Sequence, residues 1–484
     1  MNWNTFKKEK HWISYLPVLG FFIAYCSFLW SQDIWTDEAF MMQVVRETTD
    51  LKGAFLYAAS DTHPPLYFVL LKAVTMIFGQ TLPAAKMISI LALIGSMLLG
   101  VWFFHKYVNY KAAVLYAMMV GVLPCSMAFS VEIRMYGLAL FFLTGCGLSA
   151  FRIVLEKAGR WQDWAGLFVF GVGAAYTHYF SLAATALIYG FLLIATIAMR
   201  KNLENKAFGK AIGTWFVSVI ASVIAYIPWL PYFYAQFTRV SGGFWIPEIT
   251  WSTVKEYTDW YFATDMPYTP FMLLTVLLLA LGRLIYKAVK EKKNSRIWFS
   301  FAVLGVWFMT ILVGVAVSAA IRPIFLIKYS FQMIGLLCVA FAMAMYDLPE
   351  RTWLVLVCFL FCIGLVDYDN SYTDEYESTK TVETMDYFRE NLKEGDLIAY
   401  NYNEFGFIYA FYFKEDQMSR LENIDFSEDY GDHCIYLMDT TWNQKTDPAV
   451  LEQYGWQQEY VGMYGIEHNI FKLYKLTQHT ADMR

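Results

Sequence analysis

Charge is scarce in this chain. Asp, Glu, Lys and Arg make up only 16% of its 484 residues, against the roughly 25% usual for soluble domains. That shortage excludes an ordinary water-soluble protein of this length. No surplus of positive charge exists either. The 37 Lys and Arg against 42 Asp and Glu leave a net charge of -5, which argues against a nucleic-acid partner. Cysteine is sparse and badly placed for cross-linking. Cys26, Cys125, Cys146, Cys338, Cys358 and Cys362 lie in apolar runs, and Cys434 alone falls in a polar region. A disulfide framework and a metal-type Cys-x-x-Cys pair are both excluded. No cofactor is expected to be required; a divalent metal stays open, but no ligand set at metal spacing supports one. No glycine-rich phosphate loop is present, so a nucleotide-binding fold is not expected. No small-residue cleavage site follows the first apolar run. With Lys7, Lys8 and Lys10 ahead of it, that run reads as a retained anchor. Internal repeats and low-complexity tracts are absent.

What is abundant is apolar. Hydrophobic residues reach 58% and aromatics 19%, a composition suited to spans flanked by interfacial Trp and Tyr. A helix crosses the hydrocarbon core in about 20 apolar residues. Spans are expected near 13–30, 83–104, 111–130, 135–154, 162–177, 179–199, 211–231, 268–286, 297–320, 326–346 and 352–366. The fifth and last are short, so about eleven spans are expected, and up to thirteen. The apolar segment 65–79 is short, opens on two prolines and carries Lys72. It reads as a helix lying at the interface.

Basic residues favour cytoplasmic loops. With a cytoplasmic N-terminus, Lys and Arg divide about two to one in favour of the inside loops, the C-terminal tail set aside. Counting 65–79 as a span would place the Lys-rich 287–296 loop outside, so that topology is rejected. From Asp367 the composition turns polar. The expected division is a membrane domain, 1–366, and a small external α/β domain, 367–484. In the latter, Thr381–Leu392 reads as an amphipathic helix. Leu397–Tyr400, Cys434–Met438 and Ile470–Leu476 read as strands.

This orientation puts every notable polar cluster on the external face. Asp37 and Glu38 follow the first span, in the external loop 31–82. On a helix they would point about 100° apart, so they are expected to differ in role. Asp37 is either a general base for an acceptor hydroxyl, with Glu38 orienting a polar neighbour, or both are solvated acids. Asp61-Thr62-His63-Pro64-Pro65 precedes a helix start. His63 there either donates to a phosphate oxygen beside free helix N–H groups or is incidental to a proline-capped turn. Glu132 and Arg134 are either a phosphate-binding arginine with its holder or an interfacial ion pair. His178, flanked by Tyr176 and Tyr179, is a ligand or a satisfied interfacial histidine. Lys328, beside Tyr329, either binds phosphate or snorkels. Trp245, in Phe244-Trp245-Ile246-Pro247, either stacks on a sugar or anchors at the interface.

Together, Trp35-Thr36-Asp37-Glu38-Ala39, His63-Pro64-Pro65-Leu66-Tyr67, Glu132-Ile133-Arg134-Met135-Tyr136, Thr177-His178-Tyr179, Phe244-Trp245-Ile246-Pro247 and Lys328-Tyr329 resemble the GT-C membrane glycosyltransferases. The likeness is to the protein O-mannosyltransferase type and its bacterial relatives, including the lipid A aminoarabinose transferases. The motifs keep that family's order over about residues 13–346. The resemblance implies an α-helical polytopic fold and a polyprenyl-phosphate-linked sugar donor. It implies Asp37 as the catalytic residue, with Glu38 beside it. The family's arginine before the late tyrosine is Lys328 here, which keeps the charge and loses the planar fork. No motif of the family falls in 367–484.

Arg134, Lys328 and His63 would then neutralise the leaving phosphate, with Asp61, Glu132, Tyr136, His178, Tyr179, Trp245 and Tyr329 in support. The acceptor would be a lipid, a glycan or a protein, and the surrounding partner is the membrane lipid itself. The competing class is a transporter or flippase of lipid-linked sugars. Such proteins place ionisable residues in mid-span, whereas here polar groups gather at one face.

The basic-residue bias predicts a cytoplasmic N-terminus and an external tail. A single cysteine placed in 367–484 of a cysteine-free variant should react with a membrane-impermeant thiol reagent in intact cells. Reaction only after the cytoplasm is opened would reverse the orientation.

Overall fold

A computed structural model describes residues 11–478, apart from 203, 243–245, 263–265, 293, 402–405, 441–447 and 468. The chain divides into two compact units. One comprises residues up to Leu29 and Thr48–Ser371; the other comprises Trp30–Glu47 and Tyr372 onward.

The first unit is helical. Among the described residues, eight helical stretches are long and apolar enough to cross a membrane: Leu82–Tyr107, Tyr136–Leu155, Tyr179–Ala198, Asn205–Gly242, Thr269–Lys290, Ser295–Ala320, Ile327–Met345 and Glu350–Asn391. Shorter apolar helices cover His11–Ser27, Leu66–Phe78 and Tyr110–Val122, and Trp161–Thr177 is a further helix. Each of the eleven spans expected from the sequence is thus helical. The protein is a multi-pass membrane protein. The last span does not stop where the composition changes at Asp367, because its helix continues to Tyr376.

Burial sorts these helices into a core and a shell. Tyr110–Val122 and Ile334–Met345 are buried almost all round. Most residues of Tyr136–Leu155 are also buried. Asn205–Tyr226, Thr269–Lys290 and Ser295–Ala320 leave Val217, Phe271, Leu279 and Phe308 exposed, an outside as apolar as the inside. Hydrocarbon tails do not drive helices together, so the core relies on close packing of small residues. A Cβ at Gly335 would lie 2.0 Å from Thr144 Oγ1; only glycine permits that approach. Helix Leu66–Phe78 buries Lys72, whose Nζ donates to the Thr48 carbonyl at 2.5 Å.

The second unit holds a five-stranded sheet: β1 Leu397–Tyr400, β2 Met418–Arg420, β3 Ile435–Thr440, β4 Trp456–Ile466 and β5 Asn469–Gln478, in the order β2-β1-β3-β5-β4. β1 runs parallel to β2 and β3; β5 runs antiparallel to β3 and β4. The β4–β5 pair is a hairpin with a register shift between Tyr460 and Gly462. Every residue of β3 is buried, which suits a central strand covered on both faces. Helix Thr381–Asn391 supplies Thr384, whose hydroxyl donates to the Gly465 carbonyl at 2.6 Å. Trp456 is buried, and its indole N–H donates to the Phe426 carbonyl at 2.9 Å. The three expected strands and the expected helix are all present. The short β2 and the mixed-polarity β4 were not read from the sequence.

Candidate active site

The helical unit collects polar residues where its helices end. Asp61 and His63 occupy the turn between Leu51–Ser60 and Leu66–Phe78, with Pro64 and Pro65 at the second helix start. His63 Nδ1 donates to Asp61 Oδ2 at 2.9 Å. Arg134 lies in the turn ahead of Tyr136–Leu155 and is 4% exposed. That turn is held by Ser89, whose hydroxyl donates to the Glu132 carbonyl at 2.5 Å. His178 is a single extended residue, φ -157° and ψ 143°, between Trp161–Thr177 and Tyr179–Ala198. Lys328 and Tyr329 sit in the tight 3-10 stretch Ile327–Met333 that leads into Ile334–Met345.

These turns converge. The rings of His63 and His178 are 5.5 Å apart, and His178 lies 5.1 Å from Tyr329 and 5.9 Å from Tyr136. Tyr136 stacks on Tyr329 at 6.2 Å, and Lys328 Nζ stands 6.0 Å from the Tyr136 ring centre. Burial holds the His178 ring well below the usual imidazole range, and the positive charges of His63, Arg134 and Lys328 push it the same way. Asp61 shows the opposite balance. Burial alone would raise its carboxyl, but His63 and Arg134 outweigh burial and bring it below the ordinary value. The cluster is therefore cationic, with His178 neutral at its centre and Asp61 ionised at its edge. Anions bind to such an arrangement.

Four residues that the sequence did not single out brace this cluster. Gln236, buried on Leu230–Gly242, donates to the Ala58 carbonyl at 2.8 Å and to the His63 carbonyl at 3.5 Å, and accepts from the Tyr179 hydroxyl. Trp229 in turn donates to Tyr179 at 3.1 Å. Arg239, one helical turn on, donates to the carbonyls of Ala59, Ser60 and Asp61, closing the C-terminal end of Leu51–Ser60. Gln332 bridges His178, Tyr329 and Ser181. The available signals were Gln236 and Arg239 three residues apart on a mostly apolar helix, and a lone amide at 332 in an apolar run.

The acidic pair belongs to the other unit. Thr36–Glu47 packs there against Gly406–Tyr412. Arg46 donates to the carbonyls of Ala410 and Phe411, each at 2.9 Å, and stacks on the Phe411 ring at 4.6 Å. Thr381 donates to Asp33 at 2.6 Å, and Tyr412 donates to the Gln32 carbonyl at 2.5 Å. Glu38 is buried and turns its carboxylate back to accept the Trp35 N–H at 3.3 Å. Asp37, half-buried, sits in the first turn of this helix. The first external loop of the sequence reading is thus shared, residues 30–47 lying in one unit and 48–82 in the other. Trp245 lies outside the described residues. Among the described residues, no group of three or more His, Cys, Asp or Glu is placed to hold a metal ion.

An apolar groove of about 570 Å³ runs beside Tyr179–Ala198, lined by Tyr189, Trp215, Tyr226, Leu230 and Phe233. Phe233 reaches the Tyr179 ring at 5.1 Å, which brings the groove to the edge of the cluster.

No family model matches the chain, and no characterised protein matches it in sequence. Its fold is nevertheless that of solved proteins. A crystal structure of ArnT from Cupriavidus metallidurans in the apo state superposes with a TM-score of 0.63 at 10% identity, over 97% of this chain and 98% of that one. The same protein bound to undecaprenyl phosphate gives a TM-score of 0.60 at 11% identity, over 96% of this chain and 98% of that one.

The neutral His178 carries a sign that can be measured. Its folded value lies below the unfolded one, so the unfolded chain binds the extra proton as pH falls through about 6.5. Stability should fall on the acid side, by up to about 1.4 kcal/mol per pH unit from this group. His178→Gln should lose less of its thermal-unfolding midpoint between about pH 7 and pH 5.5 than the wild type. Equal losses in the two proteins would contradict a neutral buried ring.

Proposed function

We propose that the protein is a membrane glycosyltransferase that takes its sugar from a polyprenyl-phosphate donor and passes it to an acceptor hydroxyl on the external face. The observation that carries this reading is the convergence of His63, Arg134 and Lys328 around a neutral His178. Four separate turns supply one cationic cluster, as a phosphate-bearing substrate requires. The apolar groove at its edge is suited to an isoprenoid chain. The shared fold with a protein crystallised with undecaprenyl phosphate supports the same donor class.

The chemistry follows from these groups. A polyprenyl phosphate leaves readily once its charge is offset, the part proposed for Arg134, Lys328 and His63. Asp37 accepts the proton of the acceptor hydroxyl. The acceptor oxygen forms its bond to the anomeric carbon from the face opposite the phosphate. The carbon–oxygen bond to phosphate breaks, and its electron pair leaves with the polyprenyl phosphate. The anomeric configuration is inverted. Glu38, turned onto the Trp35 N–H, holds the helix start that carries Asp37.

Two substitutions test the roles separately, in a transfer assay with a polyprenyl-phosphate sugar. Asp37→Asn keeps the size and removes the proton acceptor, so turnover should fall by about 10²- to 10⁴-fold with normal membrane insertion. Near-normal transfer would reject Asp37 as the base. Arg134→Ala should weaken donor use by roughly 10- to 150-fold, the loss of one charge-assisted contact, while Lys328→Arg retains it. Unchanged donor affinity in Arg134→Ala would reject the phosphate site.

A further inference from the structure

We propose that His178 donates a hydrogen bond through Nε2–H to an anionic oxygen of the donor phosphate, and that Gln332 is the positioning residue that fixes this tautomer. The identity of the oxygen rests on the glycosyltransferase reading; the direction of the hydrogen bond does not.

Gln332 Nε2 lies 2.6 Å from the Tyr329 carbonyl, which can only accept, so that atom is the amide nitrogen. Its oxygen lies 2.7 Å from the Ser181 hydroxyl, which donates to it. The same amide nitrogen stands 3.1 Å from His178 Nδ1. The backbone N–H of Phe180 reaches Nδ1 as well, at 3.2 Å. Two donors therefore meet one ring nitrogen, and Nδ1 must be the unprotonated one. A neutral imidazole then carries its proton on Nε2. Burial and the surrounding cations oppose a second proton.

His178 Nε2 is buried and has no hydrogen-bond partner among the described residues. The residue is 3% exposed, so water does not satisfy it from outside. A buried donor without an acceptor is costly and calls for one. The charges around it select the kind. Beside His63, Arg134 and Lys328 the matching group is an acceptor that carries negative charge, and a phosphate oxygen is acceptor-only and anionic. His178 would add a neutral, directional donor to a site otherwise built of positive charge. Its orientation is already set by the Phe180 and Gln332 contacts, so little ordering remains on binding.

Binding of undecaprenyl phosphate to the full chain in nanodiscs tests this, with undecaprenol as the uncharged control. His178→Ala should weaken undecaprenyl phosphate by about 10- to 150-fold and leave undecaprenol unchanged. Gln332→Glu is nearly isosteric and reverses the tautomer, because a carboxylate at 332 accepts from Nδ1. Its affinity should be low near pH 8, where Nε2 carries no proton, and should approach wild type near pH 6 as the ring becomes an imidazolium. The ratio of variant to wild type removes the titration of the lipid phosphate itself. If His178→Ala does not fold, Gln332→Glu decides alone. A folded His178→Ala with wild-type affinity, or a Gln332→Glu ratio near one at every pH, overturns the inference and leaves the glycosyltransferase reading standing. A wild type that binds no undecaprenyl phosphate overturns that reading instead.

Discussion

Inside a bilayer every backbone N–H and C=O must find a partner within the protein. That constraint shapes the helical unit. Regular helix satisfies the backbone by itself, so long apolar stretches carry no chemistry. Irregular backbone is tolerated only where side chains and neighbouring carbonyls take up the freed groups. The polar cluster lies at such places: the turn at Asp61–Pro65, the turn before Tyr136, the single break at His178 and the 3-10 stretch Ile327–Met333. Arg239 on three carbonyls, Ser89 on the Glu132 carbonyl and His178 Nδ1 on the Phe180 N–H are the local solutions. The groups that satisfy the chain ends are also those that build the site.

Charge in the cluster is then set by burial and neighbours together. Two histidines 5.5 Å apart meet different surroundings. His63 has a carboxylate at 2.9 Å, while His178 has only amide and backbone donors at Nδ1. One ring is paired with an acid, and the other is held neutral among cations. A pair of identical side chains can in this way make two different kinds of contact.

The sheet unit answers to a different constraint. It is held by packing within itself: a buried β3, Trp456 against Tyr430 and Phe426, and helix Thr381–Asn391 on the sheet. Thr36–Glu47 belongs to this unit although it follows the first span in sequence. Its ties are specific, with Arg46 on two carbonyls and Thr381 on Asp33.

The apolar helices were legible from the order of residues, because hydrocarbon thickness translates directly into runs of apolar residues. That order also marked most of the polar residues that the fold brings together. Asp61, His63, Arg134, Tyr136, His178, Tyr179, Lys328 and Tyr329 stand out as polar or aromatic residues at span ends, and the structure gathers them. Periodicity located β1, β3 and β5 but not β4, whose exposed positions interrupt the pattern. Tertiary structure alone decided the rest. Gln236, Arg239 and Gln332 are ordinary residues until folding brings carbonyls and a ring nitrogen to them. The assignment of Asp37 and Glu38 to the sheet unit depends on contacts with residues more than 300 positions away. That the His178 ring stays neutral depends on burial and distance, and neither quantity is written in the order of residues.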